Sequence, residues 1–404
     1  MVAKPFARSG GSFFSVITLF RYFPVIILGL RLAELTALGQ VATPRELPPA
    51  AAREVATWIA NQPRWSISAE AETSLGFKDN LLLSAKAPEA SAFARSSWEA
   101  LVLAVPRGKI DYTFFAQLGG TRFFSGQTVT HESEAWVQSE WGYRFSDTLK
   151  AASPLTGYYY DQVFDVSDLE VERLVARLKV GGLILAPSVR WSVHPALWCE
   201  VQAGGERKRY DGGTNDCAIG EGSLRAGWSL SKRLELRLEG RRRWRDFDQR
   251  VQYSRAGRAL GGTRLKVAER ELELRLGLEL GEQKRWKLST RIGGLQYEDN
   301  GSGYFGYNQK KISQELTWKK EAWSLRLDAA AECLEFKVQT AGIGIDPPPR
   351  IKEEFSLRAR LERKITTRWL LFGAYTWERS RSNDRVASYR VNEGLLGAHW
   401  SWEK

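Results

Sequence analysis

The sequence predicts an all-β fold, a transmembrane up-and-down antiparallel β-barrel of about 16 strands, within a range of roughly 14 to 18, with short periplasmic turns and longer extracellular loops. Three observations predict it. Apolar and charged residues alternate over long segments, short and long connections follow one another in turn, and tryptophans lie beside the short connections. A β-sandwich has no reason to sort its loops so regularly onto two ends.

Residues 269–280, ERELELRLGLEL, show the alternation most clearly. Every second position from 272 to 280 is leucine, and the intervening positions are mostly Glu or Arg. In a helix, residues two apart are rotated by about 200°, so the leucines would scatter around the cylinder. In a strand they form one apolar face opposite one charged face. Gly281–Lys284 then reverses the chain into a second alternating strand.

Alternating or β-rich segments recur along the chain from Trp65 onward. We predict strands at 65–75, 93–105, 109–121, 134–146, 149–161, 169–191, 196–210, 219–230, 233–246, 264–280, 285–298, 308–318, 322–337, 351–363, 367–379 and 386–402. Short connections lie at 106–108, 147–148, 192–195, 231–232, 281–284, 319–321 and 365–366, and longer ones alternate with them. An up-and-down barrel produces this order.

The charged faces of these strands predict the lining of a lumen. Both signs occur in each row, so neighbouring strands can pair Arg with Glu across the ladder. A barrel of about 16 to 18 strands encloses an aqueous channel rather than a filled core. The pore-lining candidates are Glu235, Arg237, Glu239, Arg241, Arg243, Glu271, Glu273, Arg275, Arg358 and Arg360.

The tryptophans beside the short connections and at the two ends of the strand region predict a periplasmic girdle, because Trp and Tyr concentrate at membrane–water interfaces. The alternative is ordinary core tryptophan, which has no preference for turns. The membrane-interface candidates are Trp65, Trp191, Trp198, Trp228, Trp286, Trp318, Trp323, Trp369 and Trp402.

The first residues of the chain predict export. Basic residues at 4, 8 and 21 precede the apolar run 23–30, and Ala37-Leu38-Gly39 offers a cleavage site. This is the arrangement of a signal peptide. We therefore predict a signal peptide at 1–39, a short periplasmic or plug segment with a candidate helix at 40–63, and an outer-membrane β-barrel at 64–404. An uncleaved membrane anchor or a misassigned start codon is the alternative for 1–39.

Motifs for catalysis and for cofactor binding are missing from the sequence. The three cysteines are too few and too scattered for a disulfide framework or a zinc site, and no HExxH or CxxC motif occurs. His131, His194 and His399 fall on different parts of the predicted barrel, so no serine nucleophile acquires an oriented base. We predict no enzyme activity, no cofactor and no metal.

A basic surplus, formally +12 at pH 7, includes the cluster Arg241-Arg242-Arg243-Trp244-Arg245. In a soluble protein this cluster would indicate a phosphate-binding patch. At the upper end of a barrel strand, the arginines can instead contact anionic lipid headgroups or lipopolysaccharide phosphates, or face the pore mouth and favour anionic solutes. We therefore predict outer-membrane lipid and lipopolysaccharide as partners, and no nucleic acid.

Three places in the chain carry a resemblance to a known family. They are Gly76–Asn80, Gly303–Tyr307, and the last hairpin with Trp377–Ser380, Ser382–Asp384 and Ser388–Asn392. Over most of residues 65–402 the chain resembles a family of outer-membrane β-barrel porins of Gram-negative bacteria, some of whose members are found near exopolysaccharide or capsule systems. The resemblance implies an outer-membrane barrel, with the barrel assembly machinery and polysaccharide export components as partners. The chain departs from the family where Glu403 and Lys404 follow Trp402, because such barrels usually end on an aromatic residue.

The leading functional hypothesis is a porin-like channel, for solutes or for export of a polymer such as polysaccharide, in the outer membrane of a Gram-negative bacterium. Two alternatives stay open. One is a structural or assembly-linked outer-membrane barrel whose lumen is closed by loops or by residues 40–63. The other is a secreted soluble β-sandwich.

Overall fold

The computed structural model describes residues 65–84, 88–104, 108–165, 175–281, 283–342, 345–384 and 387–403. The predicted signal peptide at 1–39 and the predicted segment at 40–63 lie outside these residues and stay predictions. Across the described ranges, no helix is long and apolar enough to cross a membrane.

The regular structure consists of long antiparallel strands. They are β1 (Trp65–Lys78), β2 (Ser91–Ala104), β3 (Ile110–Phe123), β4 (His131–Arg144), β5 (Leu149–Asp165), β6 (Val175–Leu185), β7 (Ser188–His194), β8 (Leu197–Tyr210), β9 (Cys217–Ser231), β10 (Leu234–Phe247), β11 (Gln252–Tyr253), β12 (Ala259–Leu260), β13 (Lys266–Leu280), β14 (Trp286–Asp299), β15 (Tyr307–Lys320), β16 (Trp323–Thr340), β17 (Pro349–Lys364), β18 (Trp369–Ser382) and β19 (Tyr389–Glu403). Most exceed the roughly 9–11 residues that a tilted strand needs to cross a membrane. β11 and β12 form a separate hairpin between β10 and β13, which the sequence did not predict.

All strands except β11 and β12 belong to one sheet that closes on itself. β1 pairs with β2 along one edge and with β19 along the other. β6 and β7 share the position between β5 and β8, because both neighbours pair with both of them. The wall therefore has 16 strand positions, which confirms the predicted barrel. The β-sandwich alternative is wrong, since a sandwich requires two sheets.

The predicted strand at 169–191 differs from the structure, because it is divided between Leu185 and Ser188. Pro187 lies at the break and has no backbone N–H to donate to a neighbouring strand. Its carbonyl still accepts a hydrogen bond from Ala203 N at 3.1 Å, and Ala186 N donates to Pro154 O at 3.2 Å. The interruption therefore preserves contact with both neighbouring strands.

Side chains on one face of the sheet contact side chains from strands two or three positions away. Arg360 on β17 binds Glu72 on β1 at 2.8 Å, and Arg95 on β2 binds Glu393 on β19 at 2.8 Å. Long side chains from such strands converge on the inner side of a curved sheet, which we call the concave wall. The leucine rows are offset by one residue from these charges and therefore face outward, on the convex wall.

The convex wall is apolar and exposed over most of its height. Leu272 is 59% exposed and Leu396 is 73% exposed. Other exposed residues on this wall are Leu75, Trp98, Leu118, Val137, Leu155, Leu183, Val201, Leu224, Leu238, Ile292, Leu357 and Leu371. Soluble monomers rarely expose continuous apolar surface of this extent. The arrangement is therefore inverted relative to a soluble sheet, with charge inside and hydrocarbon outside.

The seam between β1 and β19 contains a glycine that cannot accept a side chain. A Cβ atom at Gly397 would lie 2.4 Å from Thr73 O on β1 and 2.5 Å from a ring atom of Phe372 on β18. We expect Gly397→Ala to destabilise the barrel by about 1–3 kcal/mol, because the backbone at the seam would have to shift. Urea unfolding in detergent, read by heat-dependent gel mobility, measures the change.

Gly394 on the same strand provides the matched control, since a Cβ atom there would contact nothing within 4 Å. Gly394→Ala is expected to unfold at the urea concentration of the unchanged protein. Equal unfolding midpoints for the two variants would contradict the packing argument.

Candidate functional site

The concave wall carries a lattice of ion pairs on β9, β10 and β13. Arg243 lies opposite Glu269 in the ladder, and Arg241 lies opposite Glu271. Arg243 binds Glu269 at 3.2 Å and also binds Glu221 on β9 at 2.6 Å. The alternation of each strand brings opposite charges into register, and such cross-strand pairs stabilise the ladder.

A second group of ion pairs lies on β16 and β17. Arg326 Nε is 3.0 Å from Asp328 Oδ2, and Arg360 Nε is 2.7 Å from Glu362 Oε1. The side chains of Arg326 and Arg358 stay 54% and 64% exposed, although they point into the barrel. Open space therefore lies along this wall, because a close-packed interior would bury such groups.

The lumen contains two cavities toward the end of the barrel that carries the short turns. One, of about 680 Å³, is lined by Glu72, Arg360 and His399 among others. The other, of about 460 Å³, is lined by polar residues that include Arg237 and Arg275. Volumes of roughly 300–1,000 Å³ are typical of small-molecule sites. The lumen therefore has room for solutes of that size.

Three arginines occupy one row of the concave wall. Arg237 on β10 lies opposite Arg275 on β13, and Arg275 lies opposite Arg291 on β14. Arg237 Nε is 2.7 Å from Glu235, and Arg275 Nε donates a hydrogen bond to Ser289 Oγ at 3.0 Å. Within the described residues, the Arg291 side chain makes no hydrogen bond or ion pair. Like charges directly opposite one another destabilise a ladder. Since only Arg237 of the three binds a carboxylate in the described part of the chain, the row leaves positive charge facing the lumen.

An ion pair crosses the loop end of the barrel. Lys352 Nζ on β17 lies 3.3 Å from Asp165 Oδ2 at the end of β5 and 2.9 Å from Glu354 Oε1. β5 and β17 stand on nearly opposite sides of the ring of strands. The side chains of Lys352 and Asp165 are 2% and 7% exposed. The end of β5, which is still paired with β6 as far as Asp165, therefore bends inward across this end of the barrel, which we call the mouth.

Loops pack onto inward-facing residues around this crossing. One apolar cluster joins loop residues to the walls of β9, β10, β13 and β14 and consists of Cys217, Ile219, Phe247, Leu265, Val267, Tyr297 and Phe305. A second consists of Leu81, Phe93, Phe123 and Val129. Burial raises the pKa of the loop hydroxyl of Tyr304, which packs against the first cluster. Both clusters narrow the mouth.

A charged contact fixes the loop that follows β10. Arg207 on β8 donates two hydrogen bonds to the Asp248 carboxylate in this loop, one of them at 3.0 Å to Oδ1. The Arg207 guanidinium holds the pKa of Asp248 below its ordinary range through these bonds. The loop is therefore tied to the wall at a position where both partners stay ionised at neutral pH.

The structure brings the predicted pore-lining residues together on the concave wall. They are Glu235, Arg237, Glu239, Arg241, Arg243, Glu271, Glu273, Arg275, Arg358 and Arg360. Their role in a pore stays a prediction. Sequence reasoning missed Arg291, because the face of the strand that carries it continues with the uncharged residues Gly293, Leu295 and Tyr297. It also missed Asp165 and Lys352, which no local pattern connects.

Most predicted membrane-interface tryptophans lie on the convex wall near the short turns, namely Trp65, Trp191, Trp228, Trp286, Trp318, Trp323, Trp369 and Trp402. Their interface role stays a prediction. Tyr112 and Trp141, which the turn pattern did not reveal, extend this belt. The ring centroids of Trp65 and Tyr112 are 6.0 Å apart, and those of Tyr112 and Trp141 are 4.5 Å apart.

Trp198 differs from the other tryptophans, because it lies on the concave wall. The guanidinium carbon of Arg190 is 4.0 Å from the centroid of its ring, and this arginine also binds Glu200. The register between β7 and β8 shifts between Ser192 and His194. Trp191 and Trp198 therefore face opposite sides although they flank the same turn.

The histidines lie apart from one another. His399 Nε2 is 3.1 Å from Glu70 on the concave wall, and His131 Nε2 is 2.8 Å from a nitrogen of Arg177. His194 lies at the end of β7, at a short turn. No group of three or more His, Cys, Asp or Glu in the described part of the chain is placed to hold a metal ion.

No protein-family model matches the chain, and no curated protein matches it. Among solved structures, the chain is similar to OccAB1 of Acinetobacter baumannii, with 9% identity, a TM-score of 0.49 and coverage of 84% of this chain and 96% of that chain. It is also similar to an anion-selective porin from Comamonas acidovorans, with 10% identity, a TM-score of 0.44 and coverage of 84% and 99%. Pseudomonas aeruginosa OpdQ is similar at 7% identity, with a TM-score of 0.46 and coverage of 84% and 98%. The assignment of the fold rests on the strand pairing itself.

Removing the charge of Lys352 tests the crossing at the mouth. We expect Lys352→Met to destabilise the barrel by about 3–5 kcal/mol, because Asp165 would keep a buried charge without this cation. The matched control is Lys310→Met, which removes an exposed ion pair with Glu335 and is expected to cost at most about 1 kcal/mol. Urea unfolding in detergent measures both. Equal shifts in the unfolding midpoint would contradict a buried crossing.

Proposed function

We propose that the chain is a porin-like channel of the Gram-negative outer membrane that passes small solutes, with a preference for anions. The observation that carries this proposal is a charged concave wall whose arginine side chains stay exposed inside a closed barrel. Packed side chains fill the interior of small barrels, whereas a wall of about 16 strands encloses an aqueous channel.

The convex wall supports a position in a membrane. Exposed aliphatic and aromatic side chains cover it, and the strand ladder closes between β1 and β19. Each unpaired backbone group in hydrocarbon would cost several kcal/mol, so closure is the condition for spanning a bilayer. Barrels with short turns at one end and longer loops at the other are typical of the outer membrane.

The arginine row supports the preference for anions. Arg237, Arg275 and Arg291 face the lumen, and Arg237 and Arg275 also line the smaller cavity. The other charged residues lining that cavity are Lys232, Arg233, Lys284 and Lys287, against Glu235, Glu279 and Glu315. Positive charge lining a pore favours anionic solutes. The balance around this cavity is therefore basic.

Planar-bilayer recording tests the channel and its selectivity. We expect the unchanged protein to conduct, and its reversal potential in a KCl gradient to indicate that chloride is more permeant than potassium. Arg275→Gln/Arg291→Gln is expected to lower the chloride-to-potassium permeability ratio at least about twofold, because two positive charges leave the wall.

The matched control is Arg242→Gln/Arg270→Gln, which removes another directly opposed arginine pair from β10 and β13, on the convex wall. This control is expected to keep the permeability ratio of the unchanged protein. Absence of conductance from correctly folded barrels would overturn the channel. Conductance with an unchanged ratio in Arg275→Gln/Arg291→Gln would overturn the anion preference alone.

The contacts at the mouth support a second candidate function, that of a structural barrel whose lumen is closed. The Asp165–Lys352 crossing and the two apolar clusters all lie at this end. The same crossing argues against a wide exit for a polymer, so export of polysaccharide has weaker support than passage of small solutes. Residues 40–63, the other predicted plug, lie outside the described residues, and their deletion tests that part separately.

Replacing both partners of the crossing distinguishes an open lumen from a closed one. Asp165→Asn/Lys352→Met removes the two charges together and so avoids an uncompensated buried charge. In an open channel, this variant is expected to increase the single-channel conductance. A barrel that is silent before the substitution and conducts after it would favour the closed-lumen candidate, and an unchanged conductance would show that the crossing does not narrow the path.

A further inference from the structure

The convex wall changes from apolar to charged at the loop end, and several strands present an arginine or lysine there. On β10 the outward leucines end before Arg242, and on β13 they end before Arg270. On β18 and β19 the outward apolar and uncharged residues end before Arg379 and Arg390. The first outward charge at this end is also basic on β3, β6, β8 and β15, at Arg122, Lys179, Arg207 and Lys310. It is acidic on β5, β14, β16 and β17, at Asp161, Glu298, Glu335 and Glu353.

Two pairs of these arginines lie directly opposite each other. Arg242 is the ladder partner of Arg270, and Arg379 is the ladder partner of Arg390. The two pairs belong to different parts of the ring of strands. Opposed like charges destabilise a sheet unless an anion lies between them. Both pairs would therefore be stabilised by an anion bound between the two guanidiniums.

A single acidic side chain approaches the first pair, and only at long range. An Arg270 nitrogen is 3.9 Å from Glu298 Oε2, which is a long contact. The guanidinium carbon of Arg242 lies 4.8 Å from the centroid of the Trp244 ring. Within the described residues, Arg242 makes no hydrogen bond or ion pair through its side chain.

The second pair lies beside a third arginine. Arg381 lies two residues beyond Arg379 on the same outward face of β18 and directly opposite Glu353 on β17. The guanidiniums of Arg379, Arg381 and Arg390 therefore share one patch. In the part of the chain that the structure describes, none of the three side chains makes a hydrogen bond or an ion pair. Arg381 and Arg390 are exposed, and Arg379 is partly buried.

We infer that the two arginine pairs bind phosphate groups of a phosphorylated glycolipid of the outer leaflet, lipopolysaccharide. A guanidinium presents a planar fork of donors that matches phosphate oxygens, and two opposed forks can hold one phosphate between them. The pairs lie directly beyond the outward apolar residues, where lipid headgroups begin, and exposed aromatic residues such as Trp244 and Tyr375 lie nearby. This inference rests on the membrane position proposed above, and not on conduction.

Native mass spectrometry of the detergent-solubilised barrel tests the inference. The probe is lipid A with both phosphates, and the unchanged protein is expected to retain it. Arg242→Gln/Arg270→Gln/Arg379→Gln/Arg390→Gln is expected to lower the retained fraction at least about tenfold, because charge-assisted hydrogen bonds to phosphate are lost. If the variant with all four substitutions does not fold, Arg242→Gln/Arg270→Gln and Arg379→Gln/Arg390→Gln are measured separately, and each is expected to retain less lipid A than the unchanged protein.

Arg363→Gln is the matched control, since Arg363 also belongs to the outward set of its strand but lies at the short-turn end, beside the Trp323 ring. This variant is expected to retain lipid A like the unchanged protein. Equal retention of lipid A from which both phosphates have been removed, or equal retention of phosphatidylglycerol, would overturn the inference. Bilayer conductance is recorded in parallel, so that failure of the channel proposal is seen separately from failure of lipid binding.

Discussion

The barrel depends on the hydrogen-bonded seam between β1 and β19. In that seam the register runs without a shift from Ser68 opposite Glu403 to Lys78 opposite Glu393. An open sheet would present two edges of unpaired backbone groups, each costly in hydrocarbon. Closure removes both edges at once, and an exposed apolar exterior then becomes compatible with a stable fold. The close approach of Gly397 to Thr73 shows how tightly this seam is packed.

Closure also decides what the inside of the barrel must contain. A ring of 16 strand positions is too wide for side chains from opposite walls to form a packed core. The charged side chains therefore compensate one another along the wall, as Arg243 does with Glu221 and Glu269. Opposite sides of the barrel are in contact at the mouth, where the end of β5 brings Asp165 to Lys352 on β17. The concave wall thus remains polar and accessible below a narrowed entrance.

The sequence predicts the wall well, because side chains of a strand alternate and the two sides of a barrel face different surroundings. It predicts the mouth poorly. Asp165 and Lys352 lie far apart in the chain, and nothing local to either residue reveals the other. The opposite faces of Trp191 and Trp198 are not predicted either, since a register shift near the turn reverses a side chain. The division at Pro187 is a different case, because the register with β5 and β8 is the same on both sides of the break. The strands β11 and β12 have two residues each, too few to show an alternation of apolar and polar residues in the sequence.

Directly opposed arginines occur at two levels of the same strand pair. On β10 and β13, Arg237 faces Arg275 on the concave wall, while Arg242 faces Arg270 on the convex wall. Both arrangements would weaken the ladder in isolation. They lie at positions open to anions from outside the protein, the solvent-filled lumen in one case and the level of the headgroups in the other. Between Leu272 and Leu280 the convex wall of β13 carries no charge at all. On β10 and β13, opposed arginines therefore lie only where anions from outside the protein can reach them, in the lumen and at the level of the headgroups. The same electrostatic requirement applies to both walls.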